Sequence, residues 1–79
     1  MASVEKIITK MEQQPNGVRV AEVVKVLNHY GYRFDRQRGS HCHYINISGD
    51  VITVINENPL KSVYVRDILN RINLKESLK

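Results

Sequence analysis

Apolar residues follow two rhythms along this chain. Three segments place them at i, i+3, i+4 and i+7, namely Val4/Ile7/Ile8/Met11, Val20/Val23/Val24/Leu27 and Val65/Ile68/Leu69/Ile72. That spacing lines one side of a 3.6-residue helix, so each segment predicts a helix with one buried face. Pro15-Asn16-Gly17 breaks the first pattern. Gly31 can take the left-handed conformation that ends helices and closes the second, while Ser62 suits the N-cap of the third.

From residue 32 to residue 55 the period drops to two, interrupted by the glycine-led pairs Gly39-Ser40 and Gly49-Asp50. Glycine first in a two-residue loop fits a type II′ hairpin turn. Reading both loops that way sets the registers by counting. In the first hairpin Arg38 faces His41, Arg36 faces His43, Phe34 faces Ile45 and Tyr32 faces Ile47. In the second, Ser48 faces Val51, Ile47 faces Ile52, Ile45 faces Val54 and His43 faces Asn56.

Directly opposed residues share a sheet face. One face then collects Tyr32, Phe34, Ile45, Ile47, Ile52 and Val54, and the other Arg33, Asp35, Gln37, Cys42, Tyr44, Asn46 and Thr53. The first is the expected core. On this reading Arg36, Arg38, His41 and His43 lie on the core-facing side at the hairpin-tip end, where the apolar surface gives way to a basic rim.

The expected order is helix, helix, three-stranded antiparallel meander, helix, an α+β fold with the helices on one face of the sheet. Its last five elements, α-β-β-β-α, match a double-stranded-RNA-binding-domain topology, with an additional N-terminal helix. At 79 residues there is room for one core only.

Composition narrows the classes. The chain is 42% hydrophobic and 25% charged, as ordinary globular proteins are, and no run approaches the roughly 18 apolar residues of a membrane span. Residues Met1-Ala2-Ser3-Val4-Glu5-Lys6 lack the pattern of a secretory signal, so a cytoplasmic location is expected. One cysteine, Cys42, forms no internal disulfide, and no Cys/His spacing suits structural zinc. The net charge of +4 permits a nucleic-acid partner without requiring one. Its placement says more, since Arg33, Arg36 and Arg38, with only Asp35 among them, lie beside His41 and His43.

Two imidazoles and two guanidiniums at one hairpin tip suit a phosphodiester, the arginines holding phosphate while histidine moves protons. RNA strand cleavage needs a base for the 2′-hydroxyl proton and an acid for the leaving oxygen, and histidine titrates in the right range for both. The carboxylates Asp35, Asp50, Glu57 and Asp67 are scattered over different elements, so no metal site and no cofactor are expected and the chemistry is read as metal-independent.

The segment Tyr30-Gly31-Tyr32-Arg33-Phe34, then Arg36-Gln37-Arg38-Gly39-Ser40-His41, then Tyr44 resembles the family of HicA toxins, whose pattern is a glycine-aromatic opening, an R-Q-K/R-G-S-H hairpin and an aromatic three residues on. Val51-Ile52-Thr53-Val54 and Lys61-Ser62-Val63-Tyr64-Val65-Arg66-Asp67-Ile68-Leu69 resemble its third strand and closing helix. The resemblance implies a HicA-like core over residues 18–72, with the helix at 4–13 as an addition and 73–79 as a charged, fraying tail. It also implies a toxin that cleaves messenger RNA without metal, inhibits translation, uses His41 as catalytic histidine and is silenced by a HicB-like antitoxin. Where family members often carry proline and histidine after the third strand, this chain reads Ile55-Asn56-Glu57-Asn58-Pro59.

Arg36, Arg38, Ser40, His43 and Lys61 are the candidate RNA or phosphate contacts. Plainer readings stand beside the sharper ones: Arg36 and Arg38 as edge-strand charges, His43 as a rim residue, Lys61 and Arg66 as a solvated helix face, and His29 as a cation at a helix C-terminus. Cys42, next to His41 in a strand, is expected on the opposite face. The rival to the enzyme is a non-catalytic RNA-binding domain that uses the same basic rim to hold phosphates and 2′-hydroxyls.

Overall fold

The computed structural model describes the backbone of residues 3–77 and the side chains of residues 3–72. Helix α1 spans Val4–Gln13, α2 Val20–His29 and α3 Ser62–Ser77; strands β1, β2 and β3 span Arg33–Arg38, His41–Ile45 and Val51–Ile55. The strands form an antiparallel sheet in the order β1-β2-β3. The fold is α+β, the order that double-stranded-RNA-binding domains share, with α1 added in front.

Local chemistry explains the helix ends. Ser3 caps α1, its hydroxyl accepting the Lys6 N–H at 3.3 Å, and a single 3-10 turn at Pro15–Gly17 redirects the chain after it. At the end of α2, Tyr32 N–H donates to Leu27 O at 2.9 Å and Gly31 N–H to Asn28 O at 3.1 Å. With Gly31 at φ +89°, this is a Schellman motif, and it turns the chain directly into β1. Helix α3 continues through Ser77, past the Ile72 at which its apolar pattern ends.

Every apolar position of the three helical patterns is turned inward. Ile7, Met11, Val23, Leu27, Val65, Ile68, Leu69 and Ile72 are buried, and Val4, Ile8, Val20 and Val24 pack against them. Helix α1 is thus part of the core. A 2.8 Å ion pair between Lys10 and Glu22 ties it to α2, and this hydrogen bond holds the Glu22 carboxyl below its ordinary pKa.

The sheet contributes Cys42, Tyr44, Ile52 and Val54 to the same core, which overturns part of the expected face assignment. Of the six residues expected there, Tyr32, Ile52 and Val54 are buried, but Phe34 is 57% exposed, Ile47 is fully exposed and Ile45 is only half-buried. Cys42, Tyr44 and Asn46, expected on the polar face, are buried instead.

The second hairpin causes the exchange. Its loop is closed by Asn46 and Asp50, with Asn46 N–H on Asp50 O at 3.1 Å and Gly49 N–H on Asn46 O at 3.0 Å. Gly49, at φ +86°, is therefore the third residue of a three-residue loop with a glycine bulge, and not the first of two. The Asn46 side chain locks the turn by accepting Ser48 N–H and Asp50 N–H at 3.0 and 2.9 Å. Ile45 consequently opposes Val51, Tyr44 opposes Ile52 and His43 opposes Thr53. The shift from the two-residue register is an odd number of residues, so it carries β2 to the other face relative to β3.

The loop is held to the rest of the fold by charge. The Tyr32 hydroxyl donates to the Asp50 carboxylate, whose other oxygen accepts from Arg71 of α3 at 2.8 Å. Burial, reinforced by that bond to Asp50, pushes the Tyr32 phenol up to about 12.

Candidate functional site

The first hairpin keeps its expected tip. Gly39 is at φ +56°, no non-glycine residue among the described ones has a positive φ, and Arg38 pairs with His41, Gln37 with Cys42 and Arg36 with His43. These are the conditions of a two-residue type II′ turn. The Gln37 amide braces the turn by donating to Gly39 O at 2.9 Å.

Beyond Arg36 the pairing slips. Phe34 opposes Tyr44 and Arg33 opposes Ile45, so Asp35 sits in a β-bulge. A bulge inserts one residue and inverts the alternation on either side of it. Phe34 therefore moves to the side of Tyr44, where the two rings meet edge to face with centroids 5.8 Å apart. Arg33 moves to the side of Arg36 and Arg38. The sequence alone placed Arg33 on the opposite face, because nothing in an uninterrupted alternation signals the bulge.

Since Cys42 and Tyr44 point into the core, alternation puts His41 and His43 on the other side of the sheet, away from the helices. This corrects the expected location: Arg36, Arg38, His41 and His43 occupy the open face, not the core-facing one. His41 is exposed and His43 half-buried, and β1 is exposed along its whole length. Arg33, Arg36 and Arg38 line one edge of this face, while β2 and β3 contain no acidic residue. The open face is cationic beside two imidazoles.

The rings differ in how they are held. His43 Nδ1 lies 2.9 Å from Thr53 Oγ1 on the neighbouring strand. His41 opposes Ile55, and it is exposed at the hairpin tip. Thr53 escaped the sequence reading because the two-residue loop had placed it on the face opposite His43. The available signal was Asn46, an Asx-turn residue placed to close a longer loop.

Ser40 lies in the exposed tip, and its carbonyl accepts Asn56 N–H at 2.6 Å, fastening the segment after β3 to the hairpin. That segment then crosses to the helix side, where Leu60 is buried and its N–H donates to Val18 O at 2.9 Å. Lys61 follows as the residue whose carbonyl accepts from Tyr64 and Val65 at the start of α3. It is exposed and belongs to the start of α3 in the helix layer, not to the sheet that carries His41. Cys42 and Tyr44 lie beneath the sheet, and burial raises the Tyr44 phenol.

A sequence model described as the HicA toxin of bacterial toxin-antitoxin systems matches residues 20–74. The chain belongs to the HicA toxin family. The matched stretch runs from the first residue of α2 into α3 and includes the whole sheet, so α1 and the 3-10 turn after it lie outside it. No curated protein and no solved structure matches the chain. Membership in a toxin-antitoxin family implies a partner that restrains the HicA protein. No helix among the described residues is long and apolar enough to cross a membrane. Among the described residues there is also no group of three or more His, Cys, Asp or Glu side chains placed to hold a metal ion. Of the scattered carboxylates, Asp50 is committed to Tyr32 and Arg71.

Proposed function

We propose that this HicA-family chain is a cytoplasmic endoribonuclease that cleaves messenger RNA and so inhibits translation. His41 is its central catalytic group, and a HicB-like antitoxin silences it by covering the same face. The observation that carries this reading is the exposure of His41 directly opposite Arg38 on an open, cationic sheet face. Opposed residues on adjacent strands are about 5 Å apart at Cα, close enough for a guanidinium and an imidazole to reach one phosphodiester.

In this reading Arg36 and Arg38 hold the phosphate by charge-assisted hydrogen bonds. Ser40 offers a further polar contact at the tip. His41 takes or gives a proton as the 2′-oxygen attacks phosphorus and the 5′-oxygen leaves. The open face admits a single strand broadside, in keeping with a relaxed sequence preference. No metal is required, since the imidazoles supply acid-base chemistry and the arginines supply charge.

The test is incubation of labelled messenger RNA with the wild-type chain and with His41→Ala, in EDTA. Wild-type cleavage in chelator, lost in a folded His41→Ala variant, is the expected result. Undiminished cleavage by the variant sinks the assignment of His41. A salt-sensitive complex with intact RNA identifies a non-catalytic RNA-binding domain instead.

A further inference from the structure

Cleavage by proton transfer needs two groups, one for each oxygen, and the reading above names only His41. We infer that His43 is the second proton-transfer group and that Thr53 is its positioning residue. This rests on the ribonuclease reading and extends it to the other half of the reaction.

Three observations support it. First, His43 and His41 are two residues apart on β2 and so lie on one face, with Cα atoms roughly 6.6 Å apart along the strand. Imidazoles at that separation reach two oxygens of one phosphodiester from different sides. Second, His43 is flanked by Arg36 on β1 and Thr53 on β3. The charged groups beside it come from β1, where Arg36 opposes it and Asp35 sits next to Arg36 in the bulge, while β2 and β3 contain no acidic residue. It therefore borders the same phosphate position as Arg36.

Third, Thr53 Oγ1 lies 2.9 Å from His43 Nδ1. In the tautomer whose Nδ1–H donates to the hydroxyl, that nitrogen stays protonated and Nε2 is the nitrogen that changes its proton. It also fixes the ring plane, which a surface histidine otherwise leaves to rotate. The His41 ring has no such partner among the described residues, so the sheet has been arranged to orient His43 in particular.

The step balances between the two rings. The 2′-hydroxyl proton passes to the neutral imidazole of one histidine as the 2′-oxygen forms its bond to phosphorus. The bond from phosphorus to the 5′-oxygen breaks, and that oxygen takes a proton from Nε2 of the other, protonated histidine. The products are a 2′,3′-cyclic phosphate and a 5′-hydroxyl, with no change in redox state and no co-reactant.

The experiment measures initial rates of cleavage of a labelled messenger RNA transcript across pH for wild type, His43→Gln, Thr53→Val and Thr53→Ser, each checked for folding by circular dichroism. The wild type should give a bell-shaped profile. His43→Gln should lose one limb of the bell and about 10² to 10⁴ in rate. Thr53→Val should move the same limb with a smaller loss in rate, and Thr53→Ser, which restores the hydroxyl, should return it. His43→Gln retaining the wild-type rate, or losing rate with both limbs intact, overturns the inference and leaves His41 untouched. Should His43→Gln fold poorly, the Thr53 pair decides alone, and identical profiles for Val and Ser overturn it. Intact RNA with wild type overturns both this inference and the ribonuclease reading.

Discussion

Asn58 Oδ1 accepts the backbone N–H of Val20 at 2.8 Å, across 38 residues of sequence. Val20 opens α2, and Arg19 before it has no acceptor to cap the first turn. Glu22 answers the Arg19 N–H at 3.0 Å, so the helix start is closed partly from within and partly by the loop after β3. Asn58→Ala should destabilise the fold by about 1 kcal/mol, read as a lower urea midpoint with unchanged slope. Asn58→Asp, which keeps the acceptor, should cost less. An Asn58→Ala variant as stable as wild type would show that the cap carries no weight.

The flipped sheet face yields a pairwise test. Tyr44 is 7% exposed and Ile47 is fully exposed. Tyr44→Ala should cost about 3 kcal/mol or more, as deletion of a buried aromatic does, whereas Ile47→Ala should lie within about 0.5 kcal/mol of wild type. The two-residue loop register predicts the reverse order, so chemical denaturation of the two variants chooses between registers.

Alkaline unfolding reports on Tyr32. Its phenol is held at about 12 by burial first and by Asp50 second, with Arg71 opposing, against about 10 in the unfolded chain. The folded state therefore favours the protonated phenol. That contribution is complete below about pH 10 and is lost as pH rises toward about 12. The thermal midpoint of the wild type should fall across this window, and more steeply than that of Tyr32→Phe. Parallel slopes for the two proteins would exclude Tyr32 as the cause.

Arg33 tests the bulge. If the slip at Asp35 places Arg33 beside Arg36 and Arg38 on the RNA-facing side, Arg33→Ala should weaken RNA association at every sequence tried. It should also reduce the slope of log affinity against log salt by about 1. The substitution should leave stability within about 0.5 kcal/mol, because the residue is exposed. An unchanged salt slope would place the phosphates away from this edge.

Much of the molecule is written in local sequence. The helical stripes predict every inward position they name, Gly31 ends α2, and the Gly39-Ser40 turn gives the pairs Arg38 with His41 and Arg36 with His43. The Arg36-Gln37-Arg38-Gly39-Ser40-His41 segment points to the HicA family, to which the match over residues 20–74 assigns the chain. These features depend on residues a few positions apart, whose periodicity, capping and turn preferences act before any distant contact forms.

The face on which the histidines stand was decided otherwise. A glycine can open a two-residue loop or end a three-residue one, and the apolar pattern tolerates both, since Ile45 and Ile47 fill one face as well as Cys42 and Tyr44 fill the other. Only packing chooses: Tyr44 and Cys42 close over the helices, Asn46 locks the longer turn, and Asp50 reaches Tyr32 and Arg71. Because side chains alternate, an odd shift in loop register and one bulged residue re-sort a whole sheet. The sequence by itself determined which side chains sit at the hairpin tip. Tertiary structure alone decided that Arg33, Arg36, Arg38, His41 and His43 share an open face with Thr53 among them.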